Sequence, residues 1–350
     1  MQEEFPPMSQ PALNQLNWKK LVTAYQKAHT WRSIWQLCNS LLPFMVLWYL
    51  MYLSLDVGYW LTLLLAPVTG GFLVRLFIIQ HDCGHGSFFN NRKINDWVGL
   101  GCSLITWTPY YYWQRSHAIH HANAGNLEHR GIGDVYTMTV DEYLQKPWWG
   151  KFQYRLYRNP VILFTIIPIF LFVIAYRFPF ATSKSMKRVH SSVHWTNLAL
   201  FILVGGLSWL IGFGTFVAIQ LPIMIVSSSV GTWLFFVQHQ FEETYWADDD
   251  HWDYTLAALQ GSSYYKLPKV LQWFTGNIGF HHIHHLSPRI LNYFLEKCHN
   301  DHEIFRQSVV LTLRTSLKSM FLNLWDEDQK RLISFGHLKR RRAELVSSMQ

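Results

Sequence analysis

Long apolar stretches constrain this chain more than any other feature of its sequence. Five runs come close to the roughly 20 residues that an α-helix needs to cross a bilayer, at residues 33–55, 59–79, 160–176, 195–213 and 215–237. Half of all residues are hydrophobic and only 15% are charged, against roughly 25% in a typical soluble domain. We therefore expect one all-α integral membrane protein, and neither a disordered chain nor an ordinary water-soluble enzyme.

The charges between these runs predict their topology. The turns between the first and second runs and between the last two runs carry no Lys or Arg, whereas the segment before residue 33 and the connector with Lys184 and Lys187 are basic. Because basic segments stay in the cytoplasm, a full crossing by residues 160–176 would leave that connector outside. We expect four transmembrane helices in two hairpins, with residues 160–176 re-entrant or in the membrane plane and both termini in the cytoplasm.

A sixth apolar run, residues 97–113, is too short to span and is rich in Trp and Tyr, which favour the membrane interface. We expect it to lie at the membrane surface or to dip partway into the bilayer. Three regions are then predicted: a cytoplasmic N-terminal segment at residues 1–32, a membrane domain at residues 33–304, and a basic cytoplasmic tail at residues 305–350.

The chain is basic, and this limits its partners. Lys and Arg number 30 against 22 for Asp and Glu, which gives a formal net charge of +8 with His neutral. Much of the excess lies at the chain ends, as in Lys339, Arg340, Arg341 and Arg342. Such a surface suits anionic lipid or an acidic protein, and we expect no nucleic-acid partner. The cysteines are scattered without paired spacing, so we expect no disulfides.

Histidines are concentrated in three short windows. Nine of the 18 histidines fall in residues 81–85, 117–121 and 281–285, and positions i, i+3 and i+4 project from one face of a helix. On the predicted topology all three windows lie in a helical cap on one side of the membrane. So many imidazoles exceed what one ion holds, so the sequence predicts two metal ions. Solvated histidines or a metal transporter explain the pattern less well, because a transporter places its ligands at mid-membrane depth.

The windows and their surroundings resemble one family. Their spacings, HxxxH, HxxHH and HxxHH in this order, resemble those of the membrane fatty-acid desaturases. Residues 81–88, 236–242 and 279–290 are most similar to the acyl-lipid omega-6 (delta-12) branch of bacteria and plastids. The resemblance covers roughly residues 30–300. One departure is Leu291, where that branch commonly has proline, and this departure removes no ligand.

The resemblance implies a cofactor and a reaction. It implies a histidine-ligated pair of iron ions that uses molecular oxygen to introduce a cis double bond into a lipid-linked acyl chain, with oleoyl chains favoured. Carried over position by position, the implied ligands are His81, His85, His117, His120, His121, His281, His284 and His285. A lipid hydroxylase shares these windows and stays the alternative, with a non-catalytic metal-binding protein behind it. Because the sequence has no flavin, nicotinamide or haem motif, an external electron donor such as ferredoxin is implied.

His239 is a candidate ninth ligand outside the windows. It follows the fourth predicted crossing just as His81 follows the second, and the segment around it resembles one that the omega-6 branch carries at this place. Glu242 and Glu243 follow within about one helical turn, where either can accept a ring N–H, as carboxylates behind ligating histidines often do. A histidine that reaches toward water is the alternative.

Other polar residues support weaker predictions. Asp82 either orients a ligand ring or lies on a helix surface, and Asp134 is predicted to be an ordinary turn aspartate. His282 occupies a variable position of its window and is predicted to lie outside the ligand set. Seven histidines lack the spacing and are predicted to be structural or solvated: His129, His190, His194, His251, His299, His302 and His337.

Overall fold

The structure of the chain is a computed structural model that describes residues 17–180 and 186–348. Lys184, in the predicted basic connector, lies outside the described residues. The α-helices of the described part are, in chain order, α1 Trp18–Val22, α2 Thr30–Ser54, α3 Tyr59–His85, α4 Arg92–Ile105, α5 Tyr110–Asn123, α6 Val140–Gln145, α7 Trp148–Tyr157, α8 Ile167–Val173, α9 Lys187–Ile211, α10 Phe213–His239, α11 Tyr254–Leu259, α12 Lys269–Phe274, α13 His281–Leu286, α14 Asn292–Asp301, α15 Leu313–Ser316 and α16 Phe335–Ser348.

Four helices of the described part, α2, α3, α9 and α10, are long and apolar enough to cross a membrane. They form two hairpins, one that turns through residues 55–58 and one that turns at Gly212. α3 and α10 have 27 residues each. Because 27 helical residues extend about 40 Å and the hydrocarbon core is about 30 Å thick, both helices are long enough to carry their last turns beyond it. The predicted all-α integral membrane fold is confirmed, and the number of helices that cross stays a prediction.

α3 lies at the centre of this helix set. It packs against α2, α4 and α10, whereas α9 buries few of its residues and faces outward. α3 and α10 run in the same direction and approach closely at Gly70, where a Cβ atom would lie 2.7 Å from Cγ1 of Val226. Glycine therefore permits the contact that aligns the two helices. As a result, the histidines at their C-terminal ends reach the same end of the bundle.

The run at residues 160–176 belongs to a bent helix pair. α7 is followed by a π-helical turn, Ile162–Ile166, and then by α8. The halves Trp148–Tyr157 and Ile162–Arg177 meet at an angle of 57°. Pro160 lies at the bend, where it has no backbone N–H to donate. This shape suits either a broken span or a re-entrant segment, so the absence of a crossing here stays a prediction.

The run at residues 97–113 forms parts of two helices rather than the one segment that we predicted. α4 ends at Ile105 and α5 begins after Pro109, whose fixed φ and missing N–H suit a helix start. Trp107, in the turn between them, has φ 57°, and its carbonyl oxygen accepts a hydrogen bond from Arg177. α5 then runs back toward the end of α3 and carries the second histidine window with it.

The described segments 124–158 and 240–348 form what we call the cap. It contains two small sheets that the sequence did not predict, with strands of two or three residues. β1 Met138–Thr139, β4 Leu324–Asp326 and β5 Arg331–Ile333 form one sheet, and β2 Tyr264–Lys266 and β3 Val310–Thr312 form the other. Because β3 pairs in parallel with β2, the chain beyond residue 304 packs onto the segments before it. The domain boundary at that residue stays a prediction.

Candidate metal centre

Four chain segments bring the nine predicted histidines to one place. His81 and His85 occupy the end of α3, which stops at Gly86 in the left-handed conformation (φ 71°) that favours glycine. The second window lies in the last turns of α5, the third begins α13, and His239 is the last residue of α10. Each predicted ligand therefore lies on a helix that positions its ring.

The nine imidazoles fall into two groups, and within each group one nitrogen from every ring lies within 4.8 Å of the others. The five-histidine group contains His81, His85, His117, His121 and His284. The four-histidine group contains His120, His239, His281 and His285. In each HxxHH window the i, i+4 pair joins one group and the remaining histidine joins the other, so α5 and α13 contribute to both. That these rings bind metal stays a prediction.

Rings within a group approach one another through their Nε2 atoms. His121 Nε2 lies 3.1 Å from that of His117 and 3.0 Å from that of His284. His239 Nε2 lies 2.9 Å from that of His281. With metal–nitrogen bonds of about 2.0–2.1 Å, two ligands about 90° apart are separated by about 3 Å. These distances therefore match neighbouring ligands of one ion.

Hydrogen-bond partners identify the donor nitrogen of two rings in the four-histidine group. Nδ1 of His120 contacts Oδ1 of Asp134, and Nδ1 of His239 lies 3.2 Å from the carbonyl oxygen of Gly261. An ionised carboxylate and a carbonyl only accept, so each Nδ1 donates, and in a neutral ring the Nε2 atom then carries the lone pair. The two Nε2 atoms face each other at 3.2 Å. Two lone pairs at this distance repel unless a cation lies between them.

These contacts revise two predictions. Asp134 is not an ordinary turn aspartate, because it accepts a hydrogen bond from the ring of a predicted ligand. The prediction that Glu242 or Glu243 accepts from His239 was wrong, because the Gly261 carbonyl takes that place. α10 ends at His239, and Glu242 instead accepts from Arg331 at 3.0 Å.

Asp82 contacts the ring of His81, as the orienting role considered for it requires. Its Oδ1 lies 3.0 Å from Nδ1 of His81, and its Oδ2 accepts from both the backbone N–H (3.0 Å) and the side-chain amide (2.8 Å) of Asn292. Gln36 of α2 donates to Oδ1 of Asn292 at 3.0 Å. Asn292, which the sequence analysis did not single out, thus joins the first spanning helix to the first histidine window. The sequence signal that could have pointed to Asn292 is that it directly follows Leu291, where the chain departs from the omega-6 branch.

Two further observations fit a pair of metal ions. Nε2 of His85 and Nε2 of His285, one in each group, are buried without a hydrogen-bond partner. Burial, with a smaller contribution from neighbouring imidazoles, holds the pKa of His121, His284 and His285 well below the usual value for histidine. These rings are therefore neutral at pH 7 and able to bind metal. Imidazole donors backed by carboxylate and carbonyl groups suit Fe, Zn, Cu or Ni.

The comparison with protein families decides between broad functional classes. The fatty acid desaturase family matches residues 58–314, which include all nine histidines. The chain belongs to the fatty acid desaturase family. A protein of Bacillus subtilis (strain 168) named fatty acid desaturase is 47% identical over 320 residues, 91% of this chain and 90% of that protein. The protein is therefore an oxidoreductase that desaturates acyl chains, as predicted.

More distant relatives carry more specific names. An sn-1 oleoyl-lipid 12-desaturase of Picosynechococcus is 26% identical over 268 residues, 71% of this chain and 71% of that protein. An sn-1 acyl-lipid omega-3 desaturase (ferredoxin) of Nostoc is 28% identical over 235 residues, 63% of this chain and 62% of that protein. Both of these relatives are named for action on acyl lipids.

Two aromatic residues shield the centre of the desaturase, and the sequence analysis found neither. Trp113 stacks on His117 with a ring-centroid distance of 4.6 Å. Phe235 packs against His120 at 4.9 Å and against His239 at 5.3 Å. Aromatic residues are so common in this chain that no sequence signal marks these two. They place apolar rings directly against the imidazoles of both groups.

The desaturase keeps other histidines outside the two groups. His282 is buried, and its Nε2 lies 3.0 Å from the carbonyl oxygen of Phe305 and 3.2 Å from Nδ1 of His299. These two rings pack inside the cap, as predicted for residues outside the ligand set. His251 is exposed and pairs with Asp248 at 2.6 Å, which makes it a useful control for His239.

Proposed function

We propose that the desaturase holds two iron ions, one in each histidine group, and uses them with molecular oxygen to insert a cis double bond into the acyl chain of a membrane lipid. The observation that carries this proposal is the close approach of Nε2 of His120 to Nε2 of His239, at 3.2 Å, while the Nδ1 atom of each ring contacts an acceptor. The iron pair supplies the oxidising power that breaking an unactivated C–H bond needs and that no side chain offers.

The residues of the chain then have distinct roles. The nine histidines hold the metal ions, which makes His239 the ninth ligand. Asp82, Asp134 and the carbonyl of Gly261 keep protons on the far nitrogens of three rings, so that their Nε2 atoms point toward the ions. Trp113 and Phe235 keep water away from the reacting chain. No ionisable side chain beyond these is needed as a catalytic acid or base.

For the substrate we propose an oleoyl chain on a glycerolipid, with the new double bond at the omega-6 (delta-12) position. The support is the omega-6-like sequence around the histidine windows and the relatives named sn-1 oleoyl-lipid 12-desaturase. Relatives named omega-3 desaturases share similar identity, so the position of the bond needs its own measurement.

Expression in a host that makes oleoyl lipid but no diene tests both parts. We expect a new cis diene in the lipid fraction, and mass spectrometry of derivatised fatty acids locates its double bonds. A hydroxy acid as the product would show that the protein hydroxylates the acyl chain instead of desaturating it. No change despite folded, iron-loaded protein would overturn the function. A double bond at another carbon would overturn only the proposed position.

We propose that the active site lies on the cytoplasmic face and that residues 160–176 do not cross the membrane. The support is the charge pattern, since residues 55–58 and Gly212 carry no Lys or Arg while the other connectors are basic. Cysteines at Ser185 and at Val57, each in a cysteine-free background, test this. An impermeant thiol reagent should label only the Val57 position in intact cells. Labelling at both positions would show that residues 160–176 cross.

We propose a ferredoxin-like acidic protein as electron donor, because the chain is basic and several relatives are named as ferredoxin enzymes. We expect docking to involve basic side chains whose charge is not already paired within the protein. Arg341 pairs with Asp326 at 2.6 Å and with Asp328 at 3.0 Å, so its charge is already compensated. Neutralising Arg340 should therefore matter more than neutralising Arg341. Since exposed charge pairs contribute about 0.2–1 kcal/mol, the effect at low carrier concentration should be less than about fivefold and should vanish at high salt.

A further inference from the structure

Arg158, the residue directly after α7, is a buried arginine whose contacts are all with uncharged oxygens. Only 2% of it is exposed. Its guanidinium group donates four hydrogen bonds to three chain segments: to the carbonyl of Tyr136 at 3.3 Å, the hydroxyl of Thr137 at 3.2 Å, the side chain of Gln240 at 3.1 Å and the carbonyl of Leu322 at 2.6 Å. Burying a charge without an opposite charge is unfavourable. A hydrophobic side chain would avoid this cost, so the four contacts indicate a role beyond filling the core.

The first two acceptors lie on the segment behind His120. They follow Asp134 by two and three residues, and Asp134 contacts the ring of His120. The hydroxyl of Tyr157, in the last turn of α7, accepts from the backbone N–H of Tyr136 at 3.0 Å. The end of α7 therefore holds the segment that carries Asp134 through both the N–H and the carbonyl group of one residue.

The third acceptor lies directly after His239. Gln240 is buried, and its Oε1 also lies 3.3 Å from the hydroxyl of Thr137. In addition, the guanidinium carbon of Arg158 lies 5.4 Å from the ring centroid of Phe236, in the last turn of α10. Arg158 thus contacts α10 and the residue after it within one helical turn of His239.

These contacts connect the two sides of the four-histidine group. Nε2 of His120 lies 3.2 Å from Nε2 of His239, and Arg158 holds the segments behind both rings. A planar guanidinium group offers five N–H donors in a rigid fork, so it can fix several acceptors at set angles. The ammonium group of lysine carries its three donors on one nitrogen and cannot span the same acceptors.

We propose that Arg158 is a positioning residue of the four-histidine group, which fixes the segment of Asp134 relative to the end of α10. It thereby sets the distance between the rings of His120 and His239. None of its four acceptors lies on α3, α5 or α13, the helices of the five-histidine group. Its effect is therefore confined to one of the two ions. The proposal rests on the proposed function, because that function places an ion between these two rings.

Iron binding to metal-free protein tests the proposal without turnover. Anaerobic titration gives an affinity for each site, and the spectroscopic signal of each site is assigned with His120→Ala and His284→Ala, which each delete a ligand of one group. Arg158→Met removes both the fork and the charge, whereas Arg158→Lys keeps the charge and removes the fork. We expect both variants to bind iron about 10–100-fold more weakly at the four-histidine group and like wild type at the five-histidine group.

The pair of variants separates positioning from charge. A positive charge nearby repels a metal ion. If Arg158 acted on the ion through its charge, Arg158→Met would bind iron more tightly at the four-histidine group and Arg158→Lys would bind it like wild type. That result would overturn the positioning role.

Arg155→Gln is the matched control. Arg155 lies on α7 three residues before Arg158 and is exposed, and it donates to the hydroxyl of Tyr143 at 2.7 Å. This variant should bind both irons like wild type. If the Arg158 variants fail to insert in the membrane, Thr137→Val decides, because it removes only a hydroxyl that accepts from Arg158. It should weaken the four-histidine group alone, by a smaller factor.

The outcomes separate this proposal from the proposed function. Wild-type protein that binds one iron or none would overturn the proposed function, and this role of Arg158 with it. Wild-type protein with two irons, together with variants that leave the four-histidine group unchanged or weaken both groups equally, would overturn only the role of Arg158.

Discussion

The two histidine groups have the same donor chemistry but different supports. Asp82, behind the five-histidine group, is 2% exposed and held by Asn292, which is itself tied to α2. Asp134, behind the four-histidine group, lies in the loop after α5 with 19% of its side chain exposed. The carboxylate behind the five-histidine group is therefore on a spanning helix and tied to a second one, whereas the carboxylate behind the four-histidine group lies on a loop. Histidines of the same chemical type therefore need not contribute equally to folding and to reactivity.

The four-histidine group also has open space beside it. A cavity of about 20 Å³ is lined by His120, Asp134, His239 and Trp246, among others. Space of this size holds about one water molecule. Because this group has one imidazole fewer, an ion held by it as proposed would have more room for a small ligand. We expect the five-histidine group to govern stability more strongly, and the four-histidine group to govern access of small molecules.

Removing one ligand from each group should have the largest effect. His284→Ala and His120→Ala should each abolish turnover, because each deletes a ligand of one ion, while membrane insertion stays intact. Metal analysis of the purified variants should show a loss of about one iron per chain. Full activity in either variant would contradict the assignment of that residue as a ligand.

Substitution of His239 tests whether this residue is a ligand in the four-histidine group. His239→Ala should lower iron content or activity at least roughly tenfold, a loss of about 1.4 kcal/mol or more. His251→Ala is the matched control, because that ring is exposed and lies in the loop that follows α10. Mild, equal effects of both substitutions would show that His239 is not a ligand and would favour a histidine that reaches toward water.

The smallest of the three effects is expected for the carboxylates that accept hydrogen bonds from the ligand rings. Asp134→Asn keeps an acceptor for the ring of His120 and should weaken metal binding about tenfold, at the lower end of the effects known for such partners. Asp82→Asn cannot serve both His81 and Asn292 in one orientation, so it should also lower the free energy of unfolding by about 1–3 kcal/mol.

Paired metal titrations and denaturation curves check this contrast. The comparison between the groups fails if both variants lose the same stability, or if Asp134→Asn destabilises the protein more than Asp82→Asn does. Asp253, which caps α11 by accepting from the backbone N–H of Leu256 at 2.8 Å, provides a control carboxylate away from both groups.

Periodic features of the sequence predicted most of the centre. Hydrophobic length indicated four spanning helices, and i, i+3, i+4 spacing indicated which faces carry imidazoles, because both depend on local helix geometry. The position of His239 after a predicted crossing, together with the family resemblance of its segment, favoured a place beside the windows. These signals are local, so they can be read without knowing how distant segments pack.

Contacts between distant segments could not be predicted in the same way. The partners of His239 and Asp82 are Gly261 and Asn292, which lie 22 and 210 residues away along the chain. A backbone carbonyl such as that of Gly261 has no sequence signature at all. Glu242 and Glu243 were considered as partners of His239 because they are near it in sequence. Because α10 ends at His239, they do not follow it on a helical turn. The division of one window between two groups likewise depends on how α5 and α13 face each other.

The iron content of the wild-type protein tests the central claim most directly. Protein purified without metal and reconstituted with ferrous iron under anaerobic conditions should bind close to two irons per chain, with two spectroscopically distinct sites because the groups have five and four imidazoles. Saturation at one iron per chain, with all nine histidines intact, would contradict the assignment of one ion to each group.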